Sequence, residues 1–293
     1  MHEPKSRMQC ADHTFVILAY GTSPYLEECV QSLANQTISG QKLIVTSTPN
    51  SFITEIGERF EIPILVSANV LEANASGSLD TSHVMADDWN FGLQATCPTS
   101  SPSPEMTAYV TLTHQDDVYL PEFLEETLNL FNKYPDTLIA FTNYEEMTET
   151  GSIKPRNLTM LVKDILLFLG FGWREAIKAS MAKRRMLSFG SPVCCPSVTF
   201  NRRRIGDLHF RRDLRTNLDW DYWIKLARRD GGFAYCPRIL MRHRIHQASE
   251  TSRGLVDQAR QQEDRQMFES LWPRAIARVL SGLYAMSYKS NRS

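Results

Sequence analysis

Residues 109–120 read YVTLTHQDDVYL, and the reading of this stretch decides the fold. Tyr109, Val110 and Leu112 make a short apolar run that ends abruptly in His114-Gln115-Asp116-Asp117. A buried strand running into two adjacent carboxylates is costly, because half-buried like charges repel and disfavour each other's ionisation. A divalent cation reverses that balance, since hard ions such as magnesium or manganese take carboxylate oxygens. The stretch alone fits equally well a strand that ends in a polar turn, where Asp is common. The neighbouring segments have to discriminate.

Upstream, residues 14–19 (TFVILA) form a continuous apolar run of strand length, as expected of a central parallel strand covered on both faces. The run stops at Tyr20-Gly21-Thr22-Ser23-Pro24, where Ser23 as N-cap and Pro24 as first helical residue predict a helix start. Leu26, Val30 and Leu33 then recur at helical spacing. The pattern repeats with a strand at Leu43-Ile44-Val45, a turn containing Ser47-Thr48, and a helix carrying Ile53, Ile56 and Phe60. A third strand is expected over 62–66, a loop rich in Asn, Gly and Ser over 69–82, and a helix over 85–96 with Trp89 and Leu93 stacked four apart. A Pro/Ser-rich turn over 98–104 leads to the opening strand, which is followed by a helix over 121–134 and a short strand over 138–141. Strands alternating with helices of this length predict an α/β fold, with βαβ units and a mostly parallel, doubly wound sheet carrying helices on both faces. Right-handed crossovers place the strand C-termini along one edge, where open α/β sheets bind ligands. Tyr20-Gly21, Ser47-Thr48 and residues 114–117 are thus expected side by side, which favours the metal reading.

Beyond residue 150 the character changes. Residues 158–173 are apolar and helical in spacing, interrupted by Lys163 and Asp164, and the region to 212 contains Lys183-Arg184-Arg185, Arg202-Arg203-Arg204 and Arg211-Arg212. This reads as a helical, basic excursion over 151–190, either solvated or facing an anionic lipid or acceptor. Residues 191–200 suggest a strand, and residues 217–229 a helix with Asp219 in its first turn, where the helix dipole favours a carboxylate. Capping alone would account for that residue. A short strand is expected over 233–236, residues 239–245 lead into His246, and a helical tail is expected over 255–288. The division is therefore a main α/β unit over 1–252 and a C-terminal helical tail over 253–293.

Bulk properties set limits. The 293 residues are 42% hydrophobic and 22% charged with a net charge of −1, so nothing points to nucleic acid as a partner. Six cysteines lie without CxxC spacing, which argues against a zinc site, and the polar N-terminus MHEPKSRMQC carries no signal peptide. A cytoplasmic location with reduced thiols is expected. The longest uncharged apolar run, 165–173, is far shorter than the roughly 20 residues of a spanning helix.

The order of motifs resembles the inverting family 2 glycosyltransferases of the GT-A fold, of the type acting on bacterial surface glycans. FVILAYGTSPYLEECVQSL is similar to that family's opening strand and first helix, DWNFGL to its Asn-x-Gly helix, VTLTHQDDVYLPEFL to its strand with a DxD-type metal motif, and LDWDYWIKLARRDGG with RHRIHQASETS to its late acidic helix start and Arg-x-His segment. Two positions depart: His114 stands at the first Asp of the DxD-type motif, and Ser47 and Thr48 stand where paired Asp residues often read the base.

The resemblance implies a nucleotide-diphosphate sugar donor, a glycan or lipid-linked hydroxyl acceptor, and a divalent metal, Mn2+ or Mg2+. It implies Asp116, Asp117 and His246 as metal ligands and Asp219 as general base, with Asp221 as fallback. Tyr20, Gly21, Ser47, Thr48, Trp89, Asn90, His114, Gln115, Asp117 and Arg244 are expected to bind the nucleotide sugar, Arg244 through phosphate oxygens. Surface-polysaccharide or glycolipid assembly at the inner face of a membrane follows as the expected setting, with peripheral contact through the excursion or the tail. The alternative of another class is a non-catalytic nucleotide-sugar-binding or scaffold protein on the same fold. A nucleotidyltransferase is disfavoured because residues 20–24 lack the Lys or Arg of a phosphate loop.

Overall fold

The computed structural model describes residues 8–67, 84–95, 107–246 and 258–290. The expected loop over 69–82, the turn over 98–104, the segment 247–251 and the boundary between 252 and 253 lie outside the described residues.

Among the described residues nine strands form one sheet with helices on both faces, in the order β3-β2-β1-β4-β8-β6-β9-β5, and β7 pairs with β9. The first half is the βα pattern read from the sequence. Strand β1 (Met8–Ala19) leads to α1 (Leu26–Ala34), β2 (Ile38–Thr46) to α2 (Ser51–Arg59), and β3 (Ile64–Val66) precedes α3 (Val84–Gln94) and β4 (Tyr109–His114). All pairings among these four strands are parallel. Adjacent residues of β1 serve opposite faces: Val16 packs with Trp89 and Leu93 of α3, while Phe15 and Ile17 pack with Leu26, Val30 and Ile53 of α1 and α2. This two-sided burial is why the run has no polar alternation, each buried aliphatic contributing about 1.5–3 kcal/mol. Gly92 permits the close approach of α3, since a Cβ there would lie 2.9 Å from Val16. The first helix starts later than Ser23 and Pro24 predict: its N-cap is Tyr25, and the Ser23 hydroxyl accepts from the Tyr25 amide instead.

The second half is mixed. After β5 (Val118–Tyr119) and α4 (Phe123–Lys133) comes β6 (Thr137–Met147), far longer than the four residues expected, because it continues as a parallel partner of β9. The excursion is α5 (Leu158–Phe171), β7 (Ala176–Ile177) and α6 (Ser180–Leu187). A 3-10 turn over Cys195–Ser197 leads into β8 (Val198–Asn201), which runs antiparallel between β4 and β6. The short α7 (Arg202–Ile205) and α8 (Leu218–Ala227) follow. The short strand expected over 233–236 is the start of a longer one, β9 (Gly232–Arg244), whose register against β6 slips between Cys236 and Ile239. Proline has no amide to donate, so the ladder bulges there instead of ending.

The tail is α9 (Gln258–Leu271) and α10 (Arg274–Ser290). It joins the main core: Met267, Phe268 and Ala277 are buried in the cluster that holds Trp220 and Trp223. Trp223 is fully buried, stacked on Phe200 at 5.7 Å.

Candidate active site

The antiparallel pairing of β5 with β9 sets Val118 against Arg242 and Tyr119 against Met241, so the turn after β4 meets the end of β9. Asp117 is fully buried there, and one of its oxygens accepts from the Arg244 amide at 3.0 Å and faces His243 Nδ1 at 2.9 Å. Its other oxygen is buried without a hydrogen-bond partner, as is Nε2 of His114. Donor atoms of His114, Asp116 and Asp117 lie within 4.8 Å of one another. His246 Nε2 is 2.8 Å from an Asp116 oxygen. Burial lowers the pKa of His114, against the opposing charges of Asp117 and Asp116. For Asp116 burial opposes ionisation, but His114, His243 and His246 outweigh it and hold the carboxyl below its ordinary value. Two buried ligand atoms without partners, on His114 and Asp117, beside the Asp116 carboxylate are costly in a bare protein and fit a divalent cation.

The sheet edge expected to receive a nucleotide is knit together by side chain to backbone bonds. Gln115 exchanges two bonds with the backbone of Tyr20, donating to its carbonyl at 2.9 Å and accepting from its amide at 3.0 Å. Gly21, at φ +60°, donates its amide to the Thr48 hydroxyl at 2.6 Å. The Tyr20 ring itself is 53% exposed above this edge. Ser47 is buried and donates to Asp88 at 2.7 Å. The sequence reading missed Asp88, a carboxylate supplied from α3 at the place where the resembled family often carries Asp on the strand turn. Burial pushes its pKa up to about 6 against the hydrogen bonds of Ser47 and Ser67, and its second oxygen has no partner. Trp89 stacks against His114, with ring centroids 5.3 Å apart. Asn90 sits differently from expectation: its amide exchanges two bonds with the Phe210 backbone, at 3.0 and 2.7 Å, and so pins the loop before α8.

Arg244 likewise departs from the expected phosphate contact. Its side chain is 1% exposed and donates to the carbonyls of Asp116, Thr148 and Glu149 at 3.0–3.1 Å and to the Glu28 carboxylate. Its guanidinium covers the Tyr25 ring at 4.4 Å. This is a clamp that holds the acidic turn against α1 and β6, suited to the planar five-donor fork of arginine.

The first turn of α8 presents Asp219 and Asp221. Asp221 is buried and paired with Lys225 at 2.6 Å and Arg211 at 3.5 Å. Asp219 accepts from the next amide, Trp220, at 2.7 Å, and burial pushes its pKa up to about 6 against that bond. The first-turn amides of Asp219 and Trp220 favour its charge but burial outweighs them, while Glu263 of α9 takes the amides of Arg215, Thr216 and Asn217 just ahead of the helix at 2.7–3.0 Å. Asp219 and Asp117 both help raise the pKa of the buried Cys194 thiol, so each carries its charge toward that residue. Lys163 of α5 donates to the Tyr144 hydroxyl at 2.6 Å, and its charge lowers the pKa of Asp219. Its signal in the sequence was a lone charge in an otherwise apolar helix face. In the Lys183-Arg184-Arg185 run, by contrast, Lys183 is buried and caps the end of α8 through the carbonyls of Arg229 and Gly231, at 2.8 and 2.7 Å.

No family model matches the sequence, and no curated protein matches it. The fold has solved counterparts. S. aureus TarS 1–349 in complex with UDP-GlcNAc aligns with a TM-score of 0.60 at 14% identity, covering 92% of this chain and 70% of that one. A longer TarS chain is covered over 42% of its length. The Pyrobaculum calidifontis mannosyltransferase PcManGT, in complex with GDP-Man and Mn2+, aligns at 0.54 with 12% identity, covering 99% of this chain and 75% of that one. Glucosyl-3-phosphoglycerate synthase from Mycobacterium tuberculosis, with Mn2+ and UDP-Glc, aligns at 0.51 with 11% identity, covering 88% and 78%. The fold is thus GT-A-like.

Proposed function

We propose that this chain is a metal-dependent inverting glycosyltransferase that moves a sugar from a nucleotide-diphosphate donor to a hydroxyl acceptor. The observation that carries the reading is the His114, Asp116 and Asp117 cluster at the sheet edge, with two buried donor atoms lacking partners. That three structural counterparts were solved with nucleotide sugars, two of them with Mn2+, supports it.

Asp116, Asp117 and His114 are the residues that would hold the ion, with His246 orienting Asp116. When bound, a divalent ion supplies Lewis-acid neutralisation of the diphosphate leaving group. Tyr20, Gly21, Thr48 and Trp89 form the edge that receives the nucleotide, and Ser47 with Asp88 offers its polar floor. Asp219 takes the proton from the acceptor hydroxyl. The hydroxyl oxygen then bonds to the anomeric carbon from the face opposite the diphosphate. The sugar–oxygen bond breaks with its electron pair leaving on the diphosphate, and the anomeric centre inverts. Asp219 is suited to this because a carboxyl near pH 6 is a stronger base than an ordinary one yet ionised at neutral pH. Surface-polysaccharide or glycolipid assembly at the inner face of a membrane is the setting that this reading favours.

The test is release of diphosphonucleoside from a panel of nucleotide sugars with and without Mn2+. Metal-dependent release that falls in Asp219→Asn is expected. Nucleotide-sugar binding by thermal shift with no turnover on any acceptor would favour the non-catalytic alternative, and absence of both would sink the reading.

A further inference from the structure

Helix α5 turns an apolar face outward. Leu158, Leu161, Ile165 and Phe168 are 50–70% exposed and recur at three- and four-residue spacing along one side. Trp173 follows at 94% exposure, its ring edge-on to Phe168 at 5.4 Å. A solitary exposed leucine needs no explanation, but a contiguous stripe closed by a bare tryptophan marks an interaction surface. No helix among the described residues is long and apolar enough to cross a membrane, so the stripe is not part of a span.

Charge identifies what covers it. Residues 151–190 and 274–290 together hold 11 Lys and Arg against two Asp and Glu, while the rest of the chain holds 21 against 31. The basic side chains near the stripe include Arg174, Arg184 and Arg185, all exposed, and α10 adds exposed Arg274 and Arg278 beside Val279. Tyr284 of α10 and Leu166 of α5 both border Gly190, so the two basic, apolar-faced helices are neighbours. A second copy of the chain seated on the stripe would bring the same positive ring against itself. An anionic bilayer offers the opposite charge and an apolar layer at the depth of a half-sunk helix, with tryptophan at its preferred interface.

We infer that the outer face of α5, with Trp173, seats in the headgroup layer of an anionic bilayer and that this face delivers a lipid-linked acceptor to the proposed active site. The first half stands on the surface alone; the second rests on the transferase reading. The link is Lys163, which leaves the same helix on its inner side and reaches Tyr144 and the surroundings of Asp219. One helix, about 10 Å across, therefore separates the membrane face from the Lys163–Tyr144 pair.

The experiment is co-sedimentation of the full chain with phosphatidylcholine vesicles and with vesicles in which one lipid in three is phosphatidylglycerol. Pelleting with the anionic vesicles only is expected. Ile165→Glu with Phe168→Glu should lower the bound fraction about tenfold, and Arg184→Glu with Arg185→Glu should weaken binding and remove its salt dependence. Thermal shift with a nucleotide and Mn2+ checks that both pairs remain folded; should one pair fail to fold, the other carries the test. Supernatant protein with both vesicle types overturns the inference, as does binding that neither pair alters. A concentration-dependent dimer that Ile165→Glu with Phe168→Glu dissolves, without vesicle binding, also overturns it and makes a second copy the occupant. Vesicle binding with no turnover of any donor supports the surface and counts against the transferase reading, so the two fail separately.

Discussion

The turn after β4 and the first turn of α8 each carry two closely spaced carboxylates, and the protein treats them in opposite ways. In the β4 turn, Asp116 and Asp117 are surrounded by His114, His243 and His246, and a buried oxygen of Asp117 is left without a partner. In α8, Asp221 is neutralised by Lys225 and Arg211, while Asp219 two residues earlier meets no cation within salt-bridge distance among the described residues. Pairing, more than acidity, separates carboxylates that hold the fold from those left available for chemistry. A paired carboxylate has its charge already balanced, whereas an unpaired buried one keeps a raised proton affinity or awaits an ion.

The largest expected effect tests the first turn. Asp116→Asn and Asp117→Asn should each reduce Mn2+-dependent turnover by on the order of 10³. Either variant retaining a wild-type metal titration would break the distinction. Next, Asp219→Asn should lower kcat by about 10²–10⁴ with nucleotide binding unchanged, while Asp221→Asn stays within about tenfold. Equal losses in steady-state assays would show that pairing does not mark the roles.

The pH dependence sharpens the contrast. Asp219 and Asp88 are both raised from the ordinary carboxyl value of 3.8 to about 6. A raised carboxyl binds its proton more tightly in the folded chain than in the unfolded one, so stability falls as pH rises from about 4 to 6 and then levels. Activity that needs ionised Asp219 rises through the same region. Urea unfolding and kcat/KM measured across this window should therefore run in opposite directions, and Asp219→Asn should gain about 1–2 kcal/mol at pH 7 after allowance for its partial exposure. The smallest effect concerns the sheet edge: Ser47→Ala removes a bond to Asp88 and should cost about 1 kcal/mol in denaturant titrations. A larger nucleotide-binding loss than stability loss would mark Asp88 as part of the donor pocket.

Much of the architecture was legible in the residues. Continuous apolar runs at 14–19 and 43–45, separated by amphipathic helices, sufficed to place β1, β2 and β4 as parallel neighbours with Tyr20, Thr48 and Asp116 at one edge. Local periodicity carries that information because each element must bury a face whatever its partners are. The 3-10 turn at Cys195 and the bulged continuity of β9 through Pro237 were not legible, since both depend on which strand lies alongside.

For the site, the sequence by itself determined the residue types: His, Asp and Asp after a buried strand, and a second acidic pair at a helix start. Only the tertiary structure decided their roles. It turned Arg244 and Asn90 inward as clamps, paired Asp221, brought Asp88 to Ser47 across 41 residues, and joined Lys163 to Tyr144. The physical reason is that a charge's function depends on what neutralises it, and those partners lie far off in sequence. Asp117 and the Arg244 amide that binds it are 127 residues apart.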